Sequence, residues 1–190
     1  MPILEQEASC HPADLLDAEQ EPLGLPSLQD DRRWWAVYTK ARQEKAVARH
    51  LVERDVPFYL PLIPKDNVIR NRRVRSHIPL FTGYVFLFGS EDERVTTLAT
   101  NRISRIFSVA DQRQLWIDLA NVALLIKNDA PLAIERRIIT GDLVRVKTGL
   151  LKGLEGVVIK RHSKCRLLVA VRYLQQGVSV EIDDCALETI

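Results

Sequence analysis

Ile78-Pro79-Leu80-Phe81-Thr82-Gly83-Tyr84-Val85-Phe86-Leu87-Phe88 is the most apolar and aromatic stretch of the chain. It reads as a central strand broken at Gly83. Residues alternate faces along a strand, so Tyr84, Phe86 and Phe88 share one face, opposite Val85 and Leu87. Upstream, Trp34–Lys40 (Trp-Trp-Ala-Val-Tyr-Thr-Lys) is another aromatic, β-branched strand. Ala41–Asp55 follows as a helix with Ala41, Ala48, Leu51 and Val52 on one face and Arg42, Lys45, Arg49 and Arg54 toward solvent. Pro57 ends that helix, and Phe58–Ile63 reads as a second strand. Lys65–His77 is a polar, basic connection with the look of a hairpin.

Downstream, Glu91–Thr100 suits a short helix with Val95, Leu98 and Ala99 inward, and Ile103–Val109 another strand. Leu115, Leu119, Val122, Ala123 and Ile126 then form a helical stripe that Asn128, Asp129 and Pro131 terminate. This order, β-α-β-β-α-β-α, is an α+β domain with helices on a mostly antiparallel sheet. From about Thr140 only short alternating segments remain: Val144/Val146, Val157/Ile159, Leu167/Val169/Val171 and Val178/Val180/Ile182. Frequent turns between them predict a small all-β barrel, whose closure removes vulnerable edges. The expected organisation is an extension at 1–31, a first domain at 32–127, a linker at 128–139 and a barrel at 140–190.

Charge is segregated along these segments. The 190-residue chain has a formal net charge of only +2, too small for a protein that coats nucleic acid. Yet residues 1–31 hold eight acids and no Lys or Arg, a net −8, whereas residues 32–88 carry 12 basic residues against 4 acids, a net +8. The first segment also contains Pro2, Pro12, Pro22 and Pro26 with little apolar content, so it is expected to be mostly disordered. Leu15 and Leu16 are its one candidate for a short helical contact.

Other classes fall away on chemistry. The longest aliphatic runs, Val122–Ile126 and Leu167–Val171, are too short to cross a bilayer, and the acidic start offers no secretory signal. Cys10, Cys165 and Cys185 form no paired framework, which fits reduced thiols in a cytoplasm. The four histidines (His11, His50, His77, His162) are scattered, so no metal site and no cofactor is expected. No nucleophile triad, phosphate-binding loop or paired-carboxylate motif stands out, and a non-enzyme is expected.

The segments Trp34–Lys40 and Pro79-Leu80-Phe81-Thr82-Gly83-Tyr84-Val85-Phe86, with the basic helix between them, resemble the N-terminal (NGN) domain of NusG-type transcription factors. Gly141–Val146, Gly149–Val158 and Val180-Glu181-Ile182 resemble the SH3-like KOW barrel of the same family. Together the two cover about residues 33–190. The family has Pro where this chain has Thr82, which loosens the turn but keeps Gly83. The long basic connection and the Tyr-Thr-Lys strand ending look closer to specialised RfaH-like paralogues than to housekeeping NusG.

The resemblance implies an elongation factor that suppresses pausing and promotes antitermination on specific operons, monomeric and cytoplasmic. Aromatics in a strand are by default core residues. Family members nevertheless dock this surface on the clamp helices of RNA polymerase, which points to Tyr38, Tyr84 and Phe86. A Thr-containing motif that touches the polymerase gate loop matches Thr96 and Thr97, although Thr in a helix commonly bonds an upstream carbonyl instead. The surface around the first strand's end, which RfaH-like proteins turn to non-template DNA, matches Lys40, Arg42 and Gln43. Lys45, Arg70, Arg72, Arg73, Arg75, Arg102 and Arg105 extend that basic character toward DNA or nascent RNA. In the barrel, Tyr173 and Leu174 fall where housekeeping NusG meets Rho or a ribosomal protein. Gly153 and Gly156 are structural, and His162, Lys164 and Arg166 favour RNA. A general NusG factor and a KOW-type ribosomal or rRNA-binding protein are the alternatives.

Overall fold

The computed structural model describes residues 7–17, 31–69, 72–135, 141–161, 164–182 and 187–189. The chain divides into two compact units, Met1–Arg113 and Gln114–Ile190.

The first unit contains β1 (Cys10–His11), β2 (Arg33–Thr39), α1 (Glu44–Glu53), β3 (Phe58–Tyr59), β4 (Leu62–Ile69) and β5 (Arg72–Pro79). It continues with β6 (Tyr84–Gly89), α2 (Glu91–Leu98) and β7 (Ile103–Ser108). Five of the strands form one antiparallel sheet in the order β1-β3-β6-β2-β7, which puts the apolar β6 at its centre. Among the described residues β4 and β5 pair only with each other, from Leu62↔Pro79 to Ile69↔Arg72, and make the expected basic hairpin.

One sheet face (Trp35, Val37, Val85, Leu87, Phe58) packs with Val47, Ala48 and Leu51 of α1 into a buried core. The buried positions of α1 are Glu44, Val47, Ala48 and Leu51, an i, i+3, i+4, i+7 stripe. The helix therefore starts later than the sequence reading placed it, and Val52, assigned to its inner face, is 40% exposed. The opposite sheet face is buried as well: Trp34, Ala36, Phe86, Phe88 and Tyr59 all lie within the core. Trp34 and Phe88 pack with ring centroids 5.3 Å apart, and Phe81 meets Phe86 edge-on at 6.3 Å.

α2 opens with a capping box. Ser90 Oγ accepts from the Glu93 N–H at 3.2 Å, and the Ser90 N–H donates to Glu93 Oε2 at 2.7 Å. Its inner side is not the expected Val95, Leu98 and Ala99: Val95 and Leu98 are 51% and 42% exposed, and Ala99 is exposed as well. Instead Thr97 is buried, Glu93 pairs with Arg32 at 2.8 Å and the Arg94 guanidinium lies 5.3 Å from the Trp35 ring centroid. Polar and cationic contacts fix the roll of this short helix, and those are invisible to an apolar stripe.

The extension at 1–31 departs from expectation too. Residues 7–17 are structured: β1 adds to the edge of the sheet, and Leu15 and Leu16 are buried. The remaining residues of 1–31, apart from Asp31, lie outside the described ones.

α3 (Gln112–Lys127) begins at the end of the first unit, where Gln112 Oε1 accepts from the Trp34 N–H at 2.6 Å. From Gln114 onward it counts with the second unit, whereas the sequence reading kept it in the first domain. There Asp118, only 4% exposed, accepts the Arg172 N–H at 2.8 Å and the Gln114 amide at 2.8 Å.

The second unit continues with β8 (Ala133–Glu135), β9 (Leu143–Val146), β10 (Glu155–Arg161), β11 (Lys164–Val171), β12 (Gln176–Glu181) and β13 (Leu187–Thr189). They form one antiparallel sheet in the order β13-β9-β10-β11-β12-β8. β9 to β12 match the expected strands. β8 falls inside the stretch read as a linker, where Glu135 Oε1 accepts from Ser179 Oγ at 2.9 Å. Gly156 is fixed by close approach: a Cβ there would meet the Leu168 carbonyl oxygen at 2.6 Å.

Candidate functional site

The buried aromatic face of the first unit opens at one end. Across β6, β2 and β7, Tyr84, Tyr38 and Arg105 stand opposite one another in register, so all three side chains share a face. Tyr38 is 41% exposed and Tyr84 half-buried, with ring centroids 5.1 Å apart. The exposed Arg105 guanidinium lies 5.7 Å from the Phe107 ring centroid, a cation–π arrangement. β7 carries one extra residue, Ser104, between its pairings with Tyr38 and Thr39. Such a bulge twists a strand locally and re-aims its side chains, here beside the tyrosines.

The tyrosines are seated from below by the Thr82–Gly83 turn. Gly83 has φ +85°, and a Cβ there would stand 2.9 Å from Tyr38 Cε2, so both conformation and space require glycine. Its N–H donates to the buried Glu44 Oε1 at 2.8 Å, and its carbonyl accepts the Thr39 N–H at 2.8 Å. Glu44 lies in the first turn of α1, where the helix dipole favours a carboxylate. Strand end, turn and helix start are thereby tied together.

Beside this patch is a basic corner. The Lys40 N–H donates to the Arg102 carbonyl at 2.8 Å, and Lys40 Nζ donates to Asn101 Oδ1 at 2.8 Å. The Arg102 guanidinium donates to Gln43 Oε1 at 2.8 Å. Lys40, Arg42 and Arg102 are exposed, while Gln43 and Lys45 are half-buried. The structure thus brings Lys40, Gln43 and Arg102 together. Arg75 is exposed on the separate hairpin, 3.8 Å from the Asp66 carboxylate, and Arg72 and Arg73 occupy β5 by backbone. Arg70 lies outside the described residues, as does His162.

Two expected contact residues are not on the surface. Phe86 is fully buried, because the strand register places it against Ala36 and Tyr59 inside the face. Thr97 is 2% exposed and its hydroxyl donates to the Glu93 carbonyl at 2.6 Å. Thr96 is exposed. In the second unit, Tyr173 is 38% exposed and Leu174 half-buried on a single 3-10 turn.

The sequence reading missed Glu44, Asn101, Phe107 and His50. His50 accepts from the Arg54 guanidinium through Nδ1 at 2.9 Å, while its Nε2 is buried without a partner. Burial, then the neighbouring Arg54, holds its imidazole below the usual range. An acid standing among basic residues, as Glu44 does between Arg42 and Lys45, was the one available signal. Among the described residues no group of three or more His, Cys, Asp or Glu is placed to hold a metal ion, and no helix is long and apolar enough to cross a membrane.

Residues 32–122 match the NusG family model. Its description is transcription termination factor nusG, and the matched segment spans β2 to the middle of α3. The Tyr38–Tyr84 patch and the basic corner both lie inside it, as does the hairpin. No match is found among curated proteins. A chain from a crystal structure of an MjSpt4:Spt5 complex, conformation B, aligns over 83% of this chain and 96% of that one at 17% identity. The TM-score of that alignment is 0.24.

Proposed function

We propose that this protein is a NusG-type transcription elongation factor that docks on the clamp helices of RNA polymerase through Tyr38 and Tyr84. The carrying observation is the tyrosine pair, Tyr38 exposed and Tyr84 half-buried, held by the Glu44–Gly83 hydrogen bond inside the segment that matches the NusG model. Two adjacent rings at the open end of an aromatic face are suited to anchor in the groove of a coiled coil, where aromatics dominate binding energy. Phe86 supports them from within the core.

Lys40, Arg42, Arg102 and Arg105 then face nucleic acid at the same edge, with Gln43 held in place by Arg102. The hairpin arginines supply further cations. Thr96, not Thr97, is the gate-loop contact. The mechanism is binding that favours the active polymerase conformation over the paused one, with no covalent chemistry. The second unit, a KOW-type barrel in this reading, recruits a further partner through Tyr173 and Leu174. The basic hairpin and the Tyr-Thr-Lys strand end favour an RfaH-like antiterminator acting on specific operons.

The test is a purified elongation assay on a template with a strong pause. Saturating protein shortens the pause, and Tyr84→Ala at unchanged fold abolishes the effect. Unchanged pausing with folded wild-type protein overturns the proposal.

A further inference from the structure

Residues 7–17 carry the acid-rich start of the chain back onto the first unit. Ser9 O accepts the Leu60 N–H at 2.6 Å, and Cys10 and His11 pair antiparallel with Tyr59 and Phe58. A tight turn follows, with the Leu15 N–H on the Pro12 carbonyl at 3.1 Å and the Asp17 N–H on the Asp14 carbonyl at 2.9 Å. It drives Leu15 and Leu16 into the core. His11 stacks on Phe58 and lies 2.8 Å from Asp55 Oδ1. Glu7 forms an ion pair with Arg49 of α1.

Two features make this segment a device and not merely an extra strand. Its backbone pairing is short, a two-residue edge strand and one turn, so its hold depends on the two anchors Leu15 and Leu16, and such an edge element opens locally before the whole domain does. Its charge is directed: Glu7 comes to rest on Arg49, which lies one helical turn from Lys45 on the same side of α1. The Glu7–Arg49 pair sets a tethered carboxylate beside the basic helix, where any polyanion must compete with it for the same cation.

We propose that residues 7–17 are a releasable strap that holds Glu7 against α1, where it competes with nucleic acid for Arg49 and the neighbouring Lys45. The inference rests on the nucleic-acid-facing part of the proposed function. It adds the regulation: strap closed, non-specific polyanions are excluded; strap open, the helix is free to bind them. A cognate complex, with its further contacts, opens the strap where random DNA does not.

Cys10 reports the strap directly. Its thiol is half-buried, donates to the Pro12 carbonyl at 3.3 Å, and is pushed up to about 12 by desolvation and the nearby Asp14 carboxylate. A closed strap therefore leaves it unreactive. The experiment uses the full chain with Cys165→Ser and Cys185→Ser, so that thiol labelling reads Cys10 alone. Binding to a short fluorescein-labelled single-stranded DNA is measured at low and at moderate salt.

Leu15→Asp should raise Cys10 labelling and tighten DNA binding about 3- to 10-fold at low salt, with the gain shrinking as salt rises. Glu7→Gln, which leaves the strap's apolar anchor intact, should tighten binding about 2-fold while Cys10 stays protected. Adding Arg49→Gln should cancel the gain from Glu7→Gln. The strap is overturned if Cys10 labels at full rate in the wild type, or if Leu15→Asp exposes Cys10 without changing DNA affinity. DNA binding by neither form overturns the strap's role and the nucleic-acid reading together, while polymerase binding remains a separate measurement.

Discussion

The carboxylate of Glu44 and the backbone N–H of Gly83 meet at 2.8 Å in a buried position, joining the start of α1 to the turn beneath Tyr38 and Tyr84. That contact decides where the tyrosine rings stand. Glu44→Ala leaves the Gly83 N–H buried and unpaired, at a cost of about 1–3 kcal/mol. Polymerase affinity should fall with it, although Glu44 touches no partner. Glu44→Gln keeps an acceptor oxygen at the same place and should restore most of both. Chemical denaturation and polymerase binding, measured on the same preparations, check this; equal behaviour of the two variants contradicts it.

Gly83→Ala carries two separable penalties. The positive φ costs more than about 1 kcal/mol for any Cβ-bearing residue. The clash with Tyr38 Cε2 adds to it and displaces the ring. Tyr38→Ala in the same chain should recover the steric part of the stability loss but none of the binding. A double-mutant cycle with no coupling between the two positions refutes this arrangement.

Tyr84 and Phe86 are two residues apart on one face, yet they should behave in opposite ways. Phe86→Ala empties a fully buried site and should cost about 3–5 kcal/mol. Tyr84→Ala should change stability by about 1 kcal/mol while weakening polymerase binding about 10-fold or more. Denaturation midpoints beside binding curves separate the two roles.

This contrast shows how far the residues themselves could be read. Alternation along Tyr84–Phe88 gave the shared face, and the strong apolar pattern gave β6 its central place. Alternation does not say what covers a face, so Phe86 and Tyr84 looked equivalent. α1 was legible from its stripe, but Glu44 was not, because burial of a carboxylate depends on a turn some forty residues away. α2 was rolled incorrectly since Arg94, Glu93 and Thr97, and not Val95 or Leu98, fix it. β1, β8 and β13 are edge strands of two or three residues, too short for periodicity to register. In 1–31 the acidic average hid the Cys10–Leu16 segment, whose burial comes from contacts with distant residues.

His50 predicts a pH dependence. Burial and Arg54 hold its imidazole below the usual range in the folded protein, while the unfolded chain titrates at about 6.5. Its contribution is whole above that ordinary value. It is lost as pH falls from there through the lowered folded-state value, because the unfolded state takes up the proton first. Stability should therefore decline on acidification below about pH 6.5, and His50→Gln should flatten that part of the profile. Urea midpoints across the range measure it; identical slopes in both proteins contradict it.

The proposed contact joins the tyrosine pair to the polymerase clamp helices. Its most direct measurement is the affinity of the full chain for core RNA polymerase, compared with the same enzyme lacking the clamp-helix tip and with Tyr84→Ala protein. Binding to the intact enzyme should be tight, with comparable losses from removing the tip or the Tyr84 ring and no further loss when both are removed. Undiminished binding to the tipless polymerase would contradict it.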